Sequence, residues 1–264
     1  IGSRFGDDLA GDDADNRLEG SDGDDTLSDL GGSDTLLGGN GDDTLLSGTG
    51  VDTFDGGAGF DTYRVDLADF DIPEGGFTLL IDAEAGTLGA DIQDPAEFDT
   101  IAGIEAFEID APDSVQVAFS GSGGDESVSS GDGSDTLSGG DGADTLQGGR
   151  GDDTLEGGAG TFDLLDYAPD EGGVSVDLEA GIATDGAGGV DLVSGFESLR
   201  GSDFDDLLLG YADRGTDISA ERGDDTVIGG AGDDSLDGEA GDDVIEGRGG
   251  IDLAYYSGER DAYT

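Results

Sequence analysis

The sequence predicts an all-β protein built as a parallel β-roll, a solenoid in which each coil stacks on the last. Three observations carry this expectation. First, a nine-residue period dominates the chain: Gly38-Gly39-Asn40-Gly41-Asp42-Asp43-Thr44-Leu45-Leu46 returns as Gly148-Gly149-Arg150-Gly151-Asp152-Asp153-Thr154-Leu155-Glu156 and as Gly229-Gly230-Ala231-Gly232-Asp233-Asp234-Ser235-Leu236-Asp237. A fixed short period makes each repeat one structural unit packed on its neighbours. Second, each unit has a glycine-rich stretch followed by three residues with one apolar side chain at position 8. That is a tight turn followed by a short strand whose middle residue faces inward. Third, Pro73, Pro95, Pro112 and Pro169 all fall between the repeat blocks, where proline does not remove a donor from a stacked ladder.

The repeats form three blocks. Residues 2–64 hold seven unbroken nonapeptides, with Asp7, Asn16, Asp25, Asp34, Asp43, Asp52 and Asp61 at position 6 and Leu9, Leu18, Leu27, Leu36, Leu45, Phe54 and Tyr63 at position 8. Residues 121–166 carry Glu126, Asp135, Asp144 and Asp153 at position 6 and end in a ten-residue unit where Asp163 takes that role. Residues 201–255 carry Asp206, Asp225, Asp234, Asp243 and Asp252, with an irregular unit around Asp217. Residues 256–264 read as the start of a further segment.

The segments 65–120 and 167–200 between blocks are strand-rich. Phe77-Thr78-Leu79-Leu80-Ile81-Asp82, Val115-Gln116-Val117-Ala118-Phe119 and Val174-Ser175-Val176-Asp177-Leu178 alternate and are rich in β-branched residues. The two segments also resemble each other. Ile81-Asp82-Ala83-Glu84-Ala85-Gly86 parallels Val176-Asp177-Leu178-Glu179-Ala180-Gly181, and Asp99-Thr100-Ile101-Ala102-Gly103-Ile104-Glu105 parallels Asp191-Leu192-Val193-Ser194-Gly195-Phe196-Glu197. A larger module therefore repeats, and the chain is expected to be part of a longer array. Their aromatic residues (Phe77, Phe107, Phe119, Phe196, Tyr255, Tyr256) are expected to be local core.

The residue types at this spacing point to a hard cation. Glycine at positions 1, 2 and 4 permits positive φ and a turn that points carbonyls inward. Calcium takes six to eight oxygen ligands, and carbonyls with carboxylates suit it. The candidate ligands are Asp7, Asp25, Asp34, Asp43, Asp52, Asp61, Asp135, Asp144, Asp153, Asp163, Asp206, Asp225, Asp234, Asp243 and Asp252. With them go the turn residues Gly38, Gly39 and Gly41; Gly139, Gly140 and Gly142; Gly148, Gly149 and Gly151; and Gly229, Gly230 and Gly232. Asn16, Glu126 and Ala14 depart from the pattern. Two nonapeptides make one coil, so turns n and n+2 stack at the ~4.8 Å strand spacing. Pairing them gives about twelve Ca²⁺ sites.

These repeats resemble the RTX (repeats-in-toxin) family of calcium-binding nonapeptides. The resemblance implies one calcium between two stacked turns, held by the Asp of each. It also implies a secreted or cell-surface protein of a Gram-negative bacterium that leaves the cell unfolded by type I secretion and folds in extracellular calcium. Two roles are open on this reading: a structural or adhesive element of a fibre, surface layer or adhesin, or the accessory tail of a secreted protease, lipase or epimerase.

Composition bounds the alternatives. The 264 residues include 66 acidic and nine basic residues, for a formal net charge of -57. That charge repels nucleic acid and anionic membranes and attracts cations. With neither Cys nor His, no disulfide framework, thiolate metal site or Ser-His or Cys-His catalysis is possible. The Asp-Asp pairs are explained by the repeat, so no catalytic residue is expected. No apolar run approaches the ~20 residues of a membrane-spanning helix. The partners expected are calcium ions and neighbouring repeats or copies. A core of one large apolar side chain per nine residues is thin, and rows of carboxylates repel, so the blocks are expected to fold only with metal.

Overall fold

The computed structural model describes residues 1–67, 77–90, 99–112, 114–160 and 162–255. Pro73, Pro95, Tyr256 and the segment 256–264 lie outside the described residues, as does the side chain of Phe77. Every regular element described is a strand. The chain winds as a β-solenoid between two long sheets, one of 12 strands and one of 15.

The nine-residue period becomes structure by alternation. Successive repeats send their strands to opposite sheets, so residues eighteen apart pair in parallel: Thr26↔Thr44 and Thr44↔Thr62 on one sheet, Thr35↔Thr53 on the other. Within a strand the side chains alternate. In Thr44–Leu46 only the middle residue is buried, and the position-8 residues Leu27, Leu36, Leu45, Phe54 and Tyr63 are at most 1% exposed. They meet in one file between the sheets, continued by Leu137, Leu146, Leu155 and Leu165 and then by Leu208, Ile218, Val227 and Leu236.

Both sheets run through the interruptions, which continue the solenoid from one block to the next. Each interruption inserts a set of three consecutive strands into the wider sheet: Phe77–Asp82, Thr87–Ala90 and Asp99–Ala102 in the first, which also supplies Val115–Ser120, and Ser175–Asp177, Ile182–Thr184 and Val190–Ser194 in the second. The last strand of each set pairs with the block behind it (Thr100↔Thr53, Leu192↔Thr154). The first pairs with the strand ahead (Phe77↔Val115, Ser175↔Leu207). The middle strand is antiparallel to both its neighbours, so the parallel expectation fails at these two strands. The turn that reverses the chain is the motif the segments share. Asp82 Oδ1 accepts the Ala85 amide at 2.8 Å and Asp177 Oδ1 the Ala180 amide at 2.9 Å. Gly86 and Gly181 close the turns at φ 66° and 70°.

Aromatic residues carry the core across the first interruption. Phe54 and Tyr63 meet edge-on at 5.2 Å, Tyr63 reaches Phe107 at 6.3 Å, and Phe107 reaches Phe119 at 5.0 Å. Phe107, Phe119 and Phe196 are core, as expected. Tyr255 is not: it occupies the outward ninth position of its repeat and is 48% exposed.

Candidate metal centre

The position-6 acids form two ladders, one along each turn-bearing edge of the solenoid. Within the blocks a carboxylate places Oδ1 on the backbone N–H of the position-6 residue one coil earlier; after an interruption, Asp135 and Asp206 accept the Val117 and Val174 amides instead. On one edge the Asp7 amide donates to Asp25 at 2.7 Å, Asp25 to Asp43 at 2.8 Å and Asp43 to Asp61 at 2.8 Å. On the other, Asn16 donates to Asp34 and Asp34 to Asp52, at 2.6 and 2.7 Å. The second block repeats this with Glu126 to Asp144, Asp144 to Asp163 and Asp135 to Asp153. The third repeats it with Asp206 to Asp225, Asp225 to Asp243 and Asp234 to Asp252. Most of these acids are buried, while Asp7, Asp243 and Asp252 are half-buried.

The second oxygen is the informative one. Oδ2 of Asp25, Asp34, Asp43, Asp61, Asp135, Asp144, Asp153, Asp163 and Asp225 is buried without a hydrogen-bond partner. Native structures seldom leave such an atom unsatisfied, because desolvating it without a partner costs about 1–3 kcal/mol, more when charged. Burial accordingly pushes the Asp61, Asp135 and Asp144 carboxyls up to about 6, Asp225 to about 7 and Asp153 to about 8, against the pull of the amide that each accepts. Neighbouring acids push further, as Asp135 and Asp191 do at Asp153. Among the described residues no arginine pairs with a position-6 Asp. A row of orphaned carboxylate oxygens beside turn carbonyls is the donor set of a hard divalent cation.

The turn glycines answer to crowding more than to φ. Gly39, Gly41, Gly140, Gly142, Gly149 and Gly151 have positive φ as expected, but the position-1 residues Gly38, Gly139, Gly148 and Gly229 do not, nor do Gly230 and Gly232. A Cβ on a position-1 glycine would strike Oδ2 of the Asp five residues on: Asp43, Asp144, Asp153 or Asp234. Gly151 carries both constraints, with φ 135° and a Cβ position that collides with the Gly133 carbonyl oxygen. Gly151→Ala is expected to destabilise the second block by at least ~1–3 kcal/mol, read as a lowered urea midpoint at fixed calcium.

Several ladder members escape the repeat. Asp99 and Asp191 accept the amides of Asp52 and Asp153 at 2.7 and 3.0 Å, and Glu105 and Glu197 accept those of Asp61 and Asp163. The cue was present in Asp99-Thr100-Ile101, which repeats the form of Asp43-Thr44-Leu45 without its glycines. At Asp191 the free oxygen is satisfied within the chain, because the Tyr167 hydroxyl donates to Oδ2 at 2.7 Å. In the irregular unit Thr216, not Asp217, holds the ladder place; its amide donates to Asp234 at 2.9 Å, while Asp217 faces out. Position 1 also holds a surprise in Asp29, which has both carboxylate oxygens buried and unpartnered.

A β-solenoid lined by unpaired inward carboxylates at a fixed interval is a metal-binding repeat module. The family model of the RTX calcium-binding nonapeptide repeat matches in four copies, over residues 1–28, 29–63, 129–161 and 219–254, half of the chain. The chain belongs to this family and is a calcium-binding repeat module. No curated protein matches it as a relative.

Proposed function

We propose that this chain is a calcium-dependent folding and support module of a secreted or cell-surface protein. The position-6 Asp residues and the turn carbonyls hold an ion between each pair of stacked turns. The carrying observation is the repeated buried Oδ2 with no partner. Each such oxygen opposes the ion-free coil and would be satisfied by one divalent ion shared between turns n and n+2. Binding energy is then folding energy. About twelve ions at two charges each would offset roughly 24 of the 57 negative charges, leaving an acidic, soluble surface. In calcium-poor surroundings the chain stays unfolded, and in the ~10⁻⁴–10⁻³ M range of weak extracellular sites it folds.

Far-UV circular dichroism during a calcium titration tests this, with magnesium as control. A cooperative rise of β signal with calcium is expected. Magnesium, smaller and reluctant to shed water, gives none. Full β signal in chelator would overturn the reading.

A further inference from the structure

We propose that Asp29, with Asp34 and Asp52, forms a three-carboxylate calcium site that fills before the two-carboxylate sites of the other turns. The proposal rests on the calcium reading above and assigns an order of filling within it. Elsewhere in the repeats position 1 is Gly, apart from Ser47, Ser130 and Ala220, so Asp29 is the one carboxylate the repeats place there.

Four observations put that carboxylate in the ion slot. One oxygen from each of Asp29, Asp34 and Asp52 lies within 4.8 Å of the others, close enough for a single calcium with ligands at about 2.3–2.6 Å. Asp34 and Asp52 are an n and n+2 pair, already joined by the Asp34 amide on Asp52 Oδ1 at 2.7 Å. Asp29 is 5% exposed with both oxygens unpartnered; the Gly48 amide lies near them but closes no hydrogen bond of sound geometry. A Cβ at Gly48 would strike Asp29 Oδ1, so the space the carboxylate occupies depends on Gly48 having no side chain.

The two turns are also fastened together outside the main sheets. Gly31 pairs with Thr49 and Gly32 with Gly50, and the Thr49 amide donates to the Leu30 carbonyl at 3.2 Å. The site is therefore held in shape, as other stacked turns are by pairs such as Gly39↔Gly57 and Gly140↔Gly158, and charge is what sets it apart. Ligand charge and rigidity are the two levers that raise calcium affinity. Three carboxylates carry one more negative charge than the neighbouring pairs and leave no cationic side chain to compete for it.

The test is calcium binding to the full 264-residue chain by equilibrium dialysis at buffered free calcium, with circular dichroism on the same samples. The wild type should bind one ion at free calcium at least tenfold below the midpoint of the main folding transition. Asp29→Asn should lose that early ion, with the main transition keeping its amplitude and its midpoint lying at the same or a higher free calcium. Asp29→Gly, which restores the repeat residue, should behave alike and separates ligand loss from a packing defect in the Asn variant. Early binding that survives both substitutions, or no early ion in the wild type, overturns the assignment of Asp29 and leaves the calcium reading intact. A wild type that binds no calcium at all overturns both.

Discussion

Acidifying the ion-free chain will restore part of the β structure that chelation removes. The ladder carboxyls have an ordinary value of 3.8, and in the folded coil burial raises them to about 6 at Asp61, Asp135 and Asp144, about 7 at Asp99 and Asp225 and about 8 at Asp153. A raised acid binds its proton more tightly folded than unfolded, so each group favours the fold fully below 3.8. That contribution falls as pH rises through the window and is gone above the folded value. The window is thus about pH 4 to about 8, with stability of the ion-free form rising as pH falls across it. Calcium affinity should run the other way, because proton and ion compete for the same oxygens. Circular dichroism in chelator between pH 8 and pH 4, beside calcium midpoints at the same pH values, checks both directions. Ion-free β signal that falls on acidification would contradict the burial of these carboxyls.

Phe107→Ala will uncouple the first repeat block from the second. The Phe107 side chain is 1% exposed and touches aromatic rings on both sides, Tyr63 at 6.3 Å and Phe119 at 5.0 Å. Truncating a buried phenylalanine costs about 3–5 kcal/mol. Its strand, Ala106–Asp110, is also the single link on the narrower sheet between Thr62–Asp66 and Ser127–Ser129. In a solenoid, stability is a sum of coil terms and nearest-neighbour interfaces, so weakening one interface divides the cooperative unit. Thermal unfolding in saturating calcium should change from one transition to two. The control Phe5→Ala, at a side chain 64% exposed, should change stability by no more than ~0.5 kcal/mol and leave the transition undivided. A single undivided transition in Phe107→Ala would show that the wider sheet alone couples the blocks.

What the sequence made legible was whatever the nine-residue period determines locally. The turn, the strand, the inward position 8 and the eighteen-residue pairing all follow from alternation within one repeat, and Leu45 or Leu146 could be placed in the core from spacing alone. The interruptions were legible as strands and as copies of each other, but not as pairings. Nothing within Phe77–Asp82 says that its partner is Val115–Ser120, or that the strand after it runs backwards, because strand pairing is set by contacts far along the chain. Asp99 was hidden because the glycines that flag a ladder acid are absent before it, whereas Asp191 follows Gly186, Gly188 and Gly189 and was hidden because its segment was read as an interruption. The unit around Asp217 was legible as irregular but not in its register: the face of a strand inverts with each residue, and here Thr216 lies inward and the acid outward. The glycines were recognised but partly for the wrong reason, since at position 1 it is the approach of Asp Oδ2 and not a left-handed φ that excludes a side chain. Asp29 was hidden for a related reason: in a repeat read as glycine at position 1, a departure there looks like noise.

The reversed strand order of the interruptions bears on how the chain can reach this structure. Within a block a growing end can recruit the next nonapeptide as soon as it arrives, one short loop closure at a time. At an interruption that zippering stalls. The edge left by Thr53–Ala58 is completed by Asp99–Ala102, the last of the three inserted strands, while Phe77–Asp82 emerges first and belongs two places further on. Approached from the other end the difficulty is the same, since Val115–Ser120 needs Phe77–Asp82, the most distant of the three. Each interruption is thus a compulsory three-strand step with a long loop to close, whichever terminus leads. Refolding on addition of calcium should accordingly be multiphasic, with fast phases from the blocks and slower ones whose number tracks the interruptions rather than the repeats.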